Sequence, residues 1–356
     1  MKRTQILVED INDIIEAVGL NTLLDKLSDK GVLITGASGM IGSYILYVLD
    51  VLNTEYNANI NIFAVVRNEN KLDAEIKNRI NIIQHDMVEP FPEINSSIDY
   101  IIHAASPASP LIMREHPLET NYANTIGTAN TINLAIKKNS RGLLFISLRE
   151  IYGEPLDNAS NIFTEDGQLG SIDHLVPRNG YAEGKKAAEN MLASAKAEYG
   201  LNTKIVRLAH TYGPGMSIYD GRVQADFLKN IIEKSDIVLK STGESVRTYT
   251  YIADATKAIF MVLLSSNDLV YNIADEDSKV SIKELAEKLI ELPEAKENNL
   301  KLVFDIPNET TNTGASSFKD GILSSEKIRK ELNWHPKYSI TEGFERTINH
   351  IKEEMS

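Results

Sequence analysis

The chain has 356 residues, of which 42% are hydrophobic and 24% are charged, and its formal net charge is −13 at pH 7. This composition is typical of a globular protein with one large or two modest domains. The acidic balance argues against general binding to nucleic acids or anionic membranes, and an anionic small ligand would need a local cluster of arginines. Because the chain has no cysteine, it has neither disulfides nor thiolate metal sites, and we expect a cytoplasmic location.

Residues 1–30 are predicted to form a helical extension, because apolar residues recur at helical spacing within 6–29. The first residues, MKRTQILVEDINDII, mix acidic residues among the apolar positions, unlike the apolar core of a secretory signal. No uninterrupted apolar run approaches the roughly 18 residues that a membrane span needs. We therefore expect a soluble chain with no membrane partner.

From residue 31 onward, strand-like runs alternate with helix-like stretches. The strand-like runs are 31–35, 60–66, 80–84, 99–103, 142–147 and 203–208, and the helix-like stretches between them include 40–53, 119–138 and 181–199. Short apolar runs separated by amphipathic helices predict a parallel sheet covered on both faces, as in a doubly wound Rossmann α/β fold. In such sheets, ligands bind beyond the carboxyl ends of the strands.

After about residue 211 the pattern loosens and predicts a smaller C-terminal region that is interleaved with the sheet. Helices are predicted at 223–234, 254–264, 281–291, 324–332 and 340–353, with a strand at 237–240. We expect residues 31–211, together with about 252–274, to form the sheet domain. Residues 212–251 and 275–356 then form the smaller domain.

The segment VLITGASGMIG at 32–42 is the strongest local signal for a ligand. A predicted strand runs into Gly36, Gly39 and Gly42, and a predicted helix follows. Glycines at this spacing allow a tight turn and let the backbone approach a pyrophosphate at a helix N-terminus. We therefore predict that this segment binds a dinucleotide; the alternative is a purely structural turn.

The residues after the second and third strands bear on which dinucleotide is bound. An acidic residue after the second strand usually holds the ribose 2′-hydroxyl of NAD, whereas an arginine suits the 2′-phosphate of NADP. Arg67 occupies this position and favours NADP, with stacking on the adenine or exposure to solvent as alternatives. Asp86, after the third strand, is expected to reach the adenine or to be a plain turn residue.

Tyr181 and Lys185, in the segment YAEGK, lie four residues apart on a predicted helix and therefore share one face. A nearby ammonium lowers the pKa of a phenol, so that a tyrosinate can accept a proton from a substrate hydroxyl while a hydride leaves. The pattern Y-x-x-x-K is common by chance. Its place downstream of the glycine turn favours a catalytic role.

Three further arginines are candidates for phosphate binding, because a guanidinium pairs with a phosphate through two hydrogen bonds. They are Arg207, Arg222 and Arg247, and the alternative for each is a surface position. Arg222 and Arg247 fall in the smaller domain, where the diphosphate of a substrate would need cover. His103 is expected to be packed in the fourth strand, and no histidine pattern indicates a metal site.

Together these motifs resemble those of the extended short-chain dehydrogenase/reductase family, the NAD-dependent sugar-nucleotide epimerases and dehydratases. The resemblance covers nearly all of 31–353. It rests on TGASGMIG (35–42), HAASPASP (103–110), NTIGT (124–128), IYG (151–153), YAEGK (181–185), TYGPGM (211–216), DGRV (220–223), VRTYTYIAD (246–254) and LNWHP (332–336). Within the family, three motifs are similar to those of UDP-glucuronate decarboxylases: HAASPASP, the EGK that follows the tyrosine, and DGRV.

The resemblance implies a tightly bound, recycled NAD or NADP and a nucleotide-diphosphate sugar, UDP-linked, as the substrate. Tyr181 would deprotonate the 4-hydroxyl of the sugar to give a 4-keto intermediate, which is then decarboxylated, epimerised or dehydrated. The expected catalytic residues are Tyr181, Lys185, Glu150 and Arg149. The resemblance also implies a homodimer that pairs helices 119–138 and 181–199.

The resemblance further assigns binding residues, with the sheet domain holding the dinucleotide and the smaller domain holding the nucleotide sugar. The residues expected to contact the dinucleotide are Gly36, Ser38, Gly39, Met40, Ile41, Gly42, Arg67, Asp86, Met87, Ala104, Ala105, Ser106, Asn124, Ser147, Tyr181, Lys185, Leu208 and His210. The residues expected to contact the substrate are Pro107, Arg149, Arg222, Arg247 and Tyr249. Asn124 is expected to brace the sheet beside the cofactor.

The chain departs from the family pattern at the end of the fifth strand. Leu148 replaces a serine or threonine whose hydroxyl shares a hydrogen bond with the sugar oxygen and the tyrosine. Arg149 replaces an aspartic acid of the 4,6-dehydratases, or the serine frequent in decarboxylases, whereas Glu150 matches a glutamate that acts as a base in dehydratases. His210 replaces an asparagine, and a late arginine is missing near 321–324.

Arg149 limits the chemistry that this site can perform. Arginine stays protonated at working pH and cannot deliver the proton that dehydration needs. A guanidinium can instead bind the C6 carboxylate of a uronic acid, but stabilising that carboxylate opposes its loss as carbon dioxide. The alternatives are therefore a uronate decarboxylase, a uronate epimerase, or a structural pair of Arg149 with Glu150 or another acid.

Two rival functions stay open. Arg67 suggests an NADPH-dependent keto-sugar reductase, which would consume its cofactor. Leu148 suggests a nucleotide-sugar binding protein without catalytic activity, because it lacks the hydroxyl that the family uses.

Overall fold

The computed structural model describes residues 1–155, 161–167, 169–306 and 321–355. Its strands are β1 (Gly31–Thr35), β2 (Asn61–Val66), β3 (Asn81–Gln84), β4 (Tyr100–His103), β5 (Gly142–Leu148), β6 (Ile162–Phe163), β7 (Thr203–Leu208), β8 (His210–Tyr212), β9 (Ile237–Leu239), β10 (Val246–Tyr251), β11 (Val270–Ile273), β12 (Lys279–Ser281), β13 (Leu302–Phe304) and β14 (Ile322–Leu323). Its helices are α1 (Gln5–Val18), α2 (Leu20–Leu27), α3 (Met40–Tyr56), α4 (Ala74–Lys77), α5 (Pro110–Glu115), α6 (Pro117–Lys138), α7 (Gly180–Tyr199), α8 (Val223–Ile232), α9 (Ile252–Ser265), α10 (Ile282–Ile290), α11 (Pro293–Glu297), α12 (Glu326–Leu332) and α13 (Ile340–Met355).

A parallel sheet of seven strands, in the order β11-β7-β5-β4-β1-β2-β3, organises the described chain. The strand order reverses between β1 and β4, which is where doubly wound sheets open a crevice for ligands. Both the fold class and the strand positions predicted from the sequence are confirmed. The sheet explains why the runs are apolar on both faces, since helices cover each side.

Alternate side chains of the strands enter two different cores. In β1, Leu33 lies in the core on one face of the sheet, and Ile34 lies in the core on the other face. In β5, Phe145 and Leu144 divide in the same way. Successive side chains along a strand point to opposite faces of the sheet and fill the two cores. The residues that follow the carboxyl end of each strand are then left to line the site.

The N-terminal extension forms two helices rather than one. Gly19, with φ of +91°, ends α1 and begins the turn into α2. The Asp10 carboxylate on α1 is fully buried, where it pairs with Arg346 at 2.7 Å and accepts hydrogen bonds from Tyr44 and Tyr251. These bonds attach the extension to α3, β10 and α13.

The C-terminal region is threaded through the sheet domain. β10 joins β8 and β12 in a small sheet, and the chain then returns through α9 to place β11 beside β7 at the edge of the central sheet. The domain boundaries predicted from the sequence stay a prediction, and 307–320 and residue 356 of the smaller domain lie outside the described residues. Within the described ranges, none of the helices has the length and apolar character needed to cross a bilayer.

Candidate active site

A cavity of about 520 Å³ lies at the carboxyl ends of β1, β4, β5 and β7. Most of the predicted site residues line it. They are Gly36, Gly39, Met40, Ile41, Gly42, Ala104, Ser106, Ser147, Arg149, Glu150, Tyr181, Lys185, Leu208, His210, Arg222, Arg247 and Tyr249. Seven predicted residues lie outside this lining: Ser38, Arg67, Asp86, Met87, Ala105, Pro107 and Asn124.

The glycine turn at one side of the cavity fits a dinucleotide. Gly36 has φ of +67°, and a Cβ there would lie 2.7 Å from the Cα of Ala105. A Cβ at Gly42 would lie 2.3 Å from the carbonyl oxygen of Gly36. Gly39 precedes α3 without a side-chain cap, so the first amides of that helix are open to an anionic ligand. Side chains are thus excluded where a pyrophosphate would approach the backbone.

The two residues that bear on cofactor choice lie on the surface side of this region. The guanidinium of Arg67 is 2.9 Å from the carboxylate of Glu119, and both side chains are more than half exposed. Asp86 accepts a hydrogen bond from the backbone of Val88, as the turn alternative expects. Met87 is buried against Gly127. Their proposed contacts with a dinucleotide stay predictions.

Asn124 connects α6 to the loop that follows β4. Its side-chain oxygen accepts a hydrogen bond from Ser106 at 2.7 Å, and its amide nitrogen donates to the carbonyl of Thr120. Ser106 also lowers the pKa of the Tyr181 phenol. The bonds of Asn124 therefore anchor the part of the cavity wall that bears Ser106.

Lys185 and Tyr181 lie on the first turns of α7, and both are buried. The Lys185 ammonium donates to the carbonyl of Ile146 at 2.7 Å and lies 4.3 Å from the centre of the Phe145 ring. Burial lowers the pKa of Lys185 to about 7, opposed by the carboxylate of Glu189.

The pKa of Tyr181 differs from the sequence-based expectation. Burial raises this pKa to about 12, and the charge of Glu150 raises it further, whereas the Ser106 hydrogen bond and two arginines, Arg222 and Arg178, lower it. The expectation that Lys185 lowers the phenol pKa is therefore wrong for this structure. The helix brings the two residues together as predicted, but burial outweighs the effect of the charges.

Glu150 has a partner that the sequence analysis missed. The guanidinium of Arg178 binds its carboxylate through two hydrogen bonds, of 2.8 and 3.2 Å. Arg178 lies in a 3₁₀ turn at Pro177–Asn179, directly before α7. A cation three residues before the Tyr181 motif was the available signal. The pair holds Glu150 at the cavity beside Tyr181.

Arg149 lies in a 3₁₀ turn, Arg149–Tyr152, directly after β5 and is 4% exposed. Burial lowers the pKa of its guanidinium to about 10, opposed by the charge of Glu150, so the group stays protonated at neutral pH. Its Nε atom has no hydrogen-bond partner in the described part of the chain. In the structure Arg178 binds the Glu150 carboxylate, which does not support the alternative of a structural pair between Arg149 and Glu150, and the role of Arg149 at the substrate stays a prediction.

The family was identified by comparison with known proteins. Residues 32–274 match the model of the NAD dependent epimerase/dehydratase family. The chain belongs to this family. This confirms the expected family and the prediction of an NAD-dependent enzyme.

Relatives of this family with known names include UDP-glucuronic acid decarboxylase 1 of Arabidopsis thaliana. It is 30% identical over 326 residues, which cover 90% of this chain and 69% of the relative. UDP-glucuronic acid decarboxylase 1 of Xenopus tropicalis is 28% identical over 341 residues, covering 93% of this chain and 74% of the relative.

Solved structures of family members share the fold. UDP-glucose 4-epimerase from Thermotoga maritima, solved with UDP-glucose, has a TM-score of 0.75 at 22% identity and covers 92% of this chain and 100% of its own. dTDP-glucose 4,6-dehydratase from Bacillus anthracis, solved with NAD, has a TM-score of 0.71 at 20% identity and covers 91% and 97%.

The three arginines considered for phosphate binding have different environments in this family member. Arg207 is buried and pairs with Glu189 at 2.6 Å, so it is neither on the surface nor at the cavity. Arg222 lines the cavity, paired with Asp220, and Arg247 lines it from β10. His103 is packed between two threonines, as expected. Among the described residues, no group of potential ligands could hold a metal ion.

Proposed function

We propose that the chain oxidises C4 of a UDP-linked sugar to a ketone and then restores a hydroxyl, with a dinucleotide that is recycled. The observation that carries this proposal is the convergence of the glycine turn, Tyr181, Lys185 and Glu150 on one cavity. The two decarboxylase relatives support a uronic acid as the sugar.

Tyr181 acts as the base toward the 4-hydroxyl of the sugar. A dinucleotide held at the turn of Gly36, Gly39 and Gly42 would supply a reversible acceptor for the C4 hydride. Because the pKa of Tyr181 is about 12 in this structure, the phenol needs positive charge nearby in order to release its proton at neutral pH. Arg222 and Arg178 already act in this direction, and Ser106 provides a hydroxyl beside the phenol in a site where position 148 has none.

Dehydration is disfavoured by the charged residues after β5. The guanidinium of Arg149 keeps its proton and cannot donate it to a leaving hydroxyl. Both carboxylate oxygens of Glu150 already accept hydrogen bonds from Arg178. Decarboxylation and epimerisation of a uronate are the outcomes that this geometry leaves.

Incubation of the purified protein with UDP-glucuronate tests the proposal. We expect a new nucleotide sugar by mass spectrometry or NMR, with no net change of absorbance at 340 nm, because the dinucleotide is recycled. Steady consumption of NADPH with a keto-sugar would instead establish the reductase. A protein that binds UDP-glucuronate and leaves it unchanged would be the non-catalytic binder.

Arg67 favours a dinucleotide with a 2′-phosphate. Its ion pair with Glu119 is exposed, and exposed pairs contribute only about 0–1 kcal/mol, so the guanidinium can turn to a phosphate at little cost. We expect Arg67→Leu to weaken NADP binding about 10-fold or more and to leave NAD binding nearly unchanged, measured by calorimetry. Arg141→Leu is the matched control, because Arg141 is as exposed as Arg67 and also pairs with a carboxylate, that of Asp99, at the amino end of β5. If Arg67→Leu weakened the binding of NAD and NADP equally, Arg67 would not select for the 2′-phosphate.

The predicted homodimer is supported by one face of α6. Leu118, Tyr122 and Ile126 follow one another at intervals of four residues and are 61%, 46% and 40% exposed. A row of apolar side chains on one helix face favours association with a second copy. Light scattering should then give twice the mass of one 39.6 kDa chain. The cytoplasmic location stays a prediction.

A further inference from the structure

The structure contains a buried cation, Arg149, for which the described residues provide no salt bridge. Arg149 is 4% exposed, and its Nε atom lacks a hydrogen-bond partner within the described ranges. The neighbouring carboxylate of Glu150 is bound to Arg178 instead. Burying a charge without a hydrogen-bonded partner is costly, so a bound anion that pairs with this guanidinium would be stabilised.

Two further polar atoms at the same cavity also lack partners. Nδ1 of His210 and the hydroxyl of Tyr249 make no hydrogen bond to any described residue. Burial, followed by the charges of Arg149, Arg247 and Arg222, lowers the pKa of His210 well below its usual value, so the ring is neutral. The cavity wall therefore offers a guanidinium, a neutral imidazole and a phenol, which suits an anion carried on a hydroxyl-rich molecule.

The position of Arg149 relates this anion to the reacting sugar. Arg149, Glu150 and Tyr181 line the same cavity, and Glu150 directly follows Arg149 in the turn after β5. A sugar whose 4-hydroxyl lies at Tyr181 can therefore place a substituent of a neighbouring ring carbon at Arg149. In a hexuronate, that neighbouring substituent is the C6 carboxylate, and planar carboxylates pair well with guanidinium.

We infer that Arg149 binds the carboxylate of a UDP-linked uronic acid and keeps it through the reaction, so that the enzyme inverts C4 instead of releasing carbon dioxide. This rests on the proposed function. During inversion, C4 loses a hydride and its oxygen loses a proton; both return, the hydride on the opposite ring face, and no bond to C6 breaks. In decarboxylation, the C5–C6 electron pair would move onto the keto system as the carboxylate charge disappears. An ion pair with Arg149 stabilises the carboxylate more than that transition state and slows the loss.

Calorimetric binding of UDP-glucuronate, UDP-glucose and UDP to the wild type and to Arg149→Met tests the inference. We expect the wild type to bind UDP-glucuronate about 10- to 100-fold more tightly than UDP-glucose. Arg149→Met should remove most of this preference while leaving UDP-glucose and UDP within about threefold, and Arg149→Lys should restore part of it. Circular dichroism of each variant verifies the fold.

The results separate the inference from the proposed function. The inference is overturned if the wild type binds UDP-glucuronate no more tightly than UDP-glucose. It is also overturned if Arg149→Met weakens the binding of all three ligands equally, because Arg149 would then bind the diphosphate that they share. Release of carbon dioxide from UDP-glucuronate by the wild type would also overturn it. Failure of every UDP ligand to bind would instead refute the proposed function.

Discussion

Tyr181→Phe is expected to lower the turnover of UDP-glucuronate by about 10²- to 10⁴-fold, the usual contribution of a positioned general base. Phenylalanine keeps the ring in its buried place on α7 but removes the only atom that can accept the proton. The hydrogen-bonding arrangement around Ser106 and Asn124 is otherwise retained. Initial rates of product formation, followed by NMR, measure the effect.

The matched control for this substitution is Tyr199→Phe. Tyr199 ends the same helix and is 58% exposed, so the loss of its hydroxyl should leave turnover within about twofold, as expected for a surface change. Calorimetry should show that Tyr181→Phe still binds UDP-glucuronate. Unchanged turnover in Tyr181→Phe would remove Tyr181 from the catalytic role.

Glu189→Ala is expected to destabilise the protein by about 3–5 kcal/mol, which is the usual effect of removing one partner of a buried ion pair. Arg207 lies in β7 with its guanidinium 2.6 Å from Glu189, and both side chains are at most 10% exposed. Glu189 also accepts a hydrogen bond from Ser147 at 2.5 Å. Its loss would leave a cation buried under the site, and urea denaturation measures the change.

Two variants control this prediction. Glu183→Ala removes a partly exposed pair with Lys186 on the same helix and should change the free energy of unfolding by less than about 1 kcal/mol. The double variant Glu189→Leu/Arg207→Met should recover part of the lost stability, because no charge is left buried. A destabilisation by Glu189→Ala no larger than that by Glu183→Ala would show that the pair contributes little.

The sequence predicted the parts of the site that depend on local spacing. The triplet Gly36, Gly39 and Gly42 needs only a strand before it and a helix after it, and Tyr181 and Lys185 share a face by helical periodicity alone. Both features lie at the cavity. Six of the seven strands of the central sheet followed from the alternation of apolar runs and amphipathic helices, whereas β11 (Val270–Ile273) was not predicted as a strand.

Pairings between distant segments could not be read from the sequence. Glu150 and Arg178 are 28 residues apart, and Asp10 meets Tyr251 across 241 residues. Such contacts depend on how the helices pack, which spacing does not encode. β10, with its segment VRTYTY, was not predicted as a strand; it is buried on both faces along almost its whole length, so it has no polar face that would mark a strand period.

The pKa of Tyr181 shows the same limit for electrostatics. The sequence indicates a cation four residues away, but it does not indicate that both groups are buried or that the lysine ammonium bonds to Ile146. Desolvation then decides the direction of the shift. The identity of a catalytic pair can therefore be predicted from spacing, whereas its protonation depends on the packed structure.

The most direct test of the central claim is the fate of the C4 hydrogen. Purified protein is incubated with UDP-glucuronate deuterated at C4, and the products are analysed by NMR. The account predicts a UDP-hexuronate inverted at C4 that still carries deuterium at this carbon and retains its carboxylate. Loss of the C4 deuterium to solvent, or recovery of only the unchanged substrate, would contradict it.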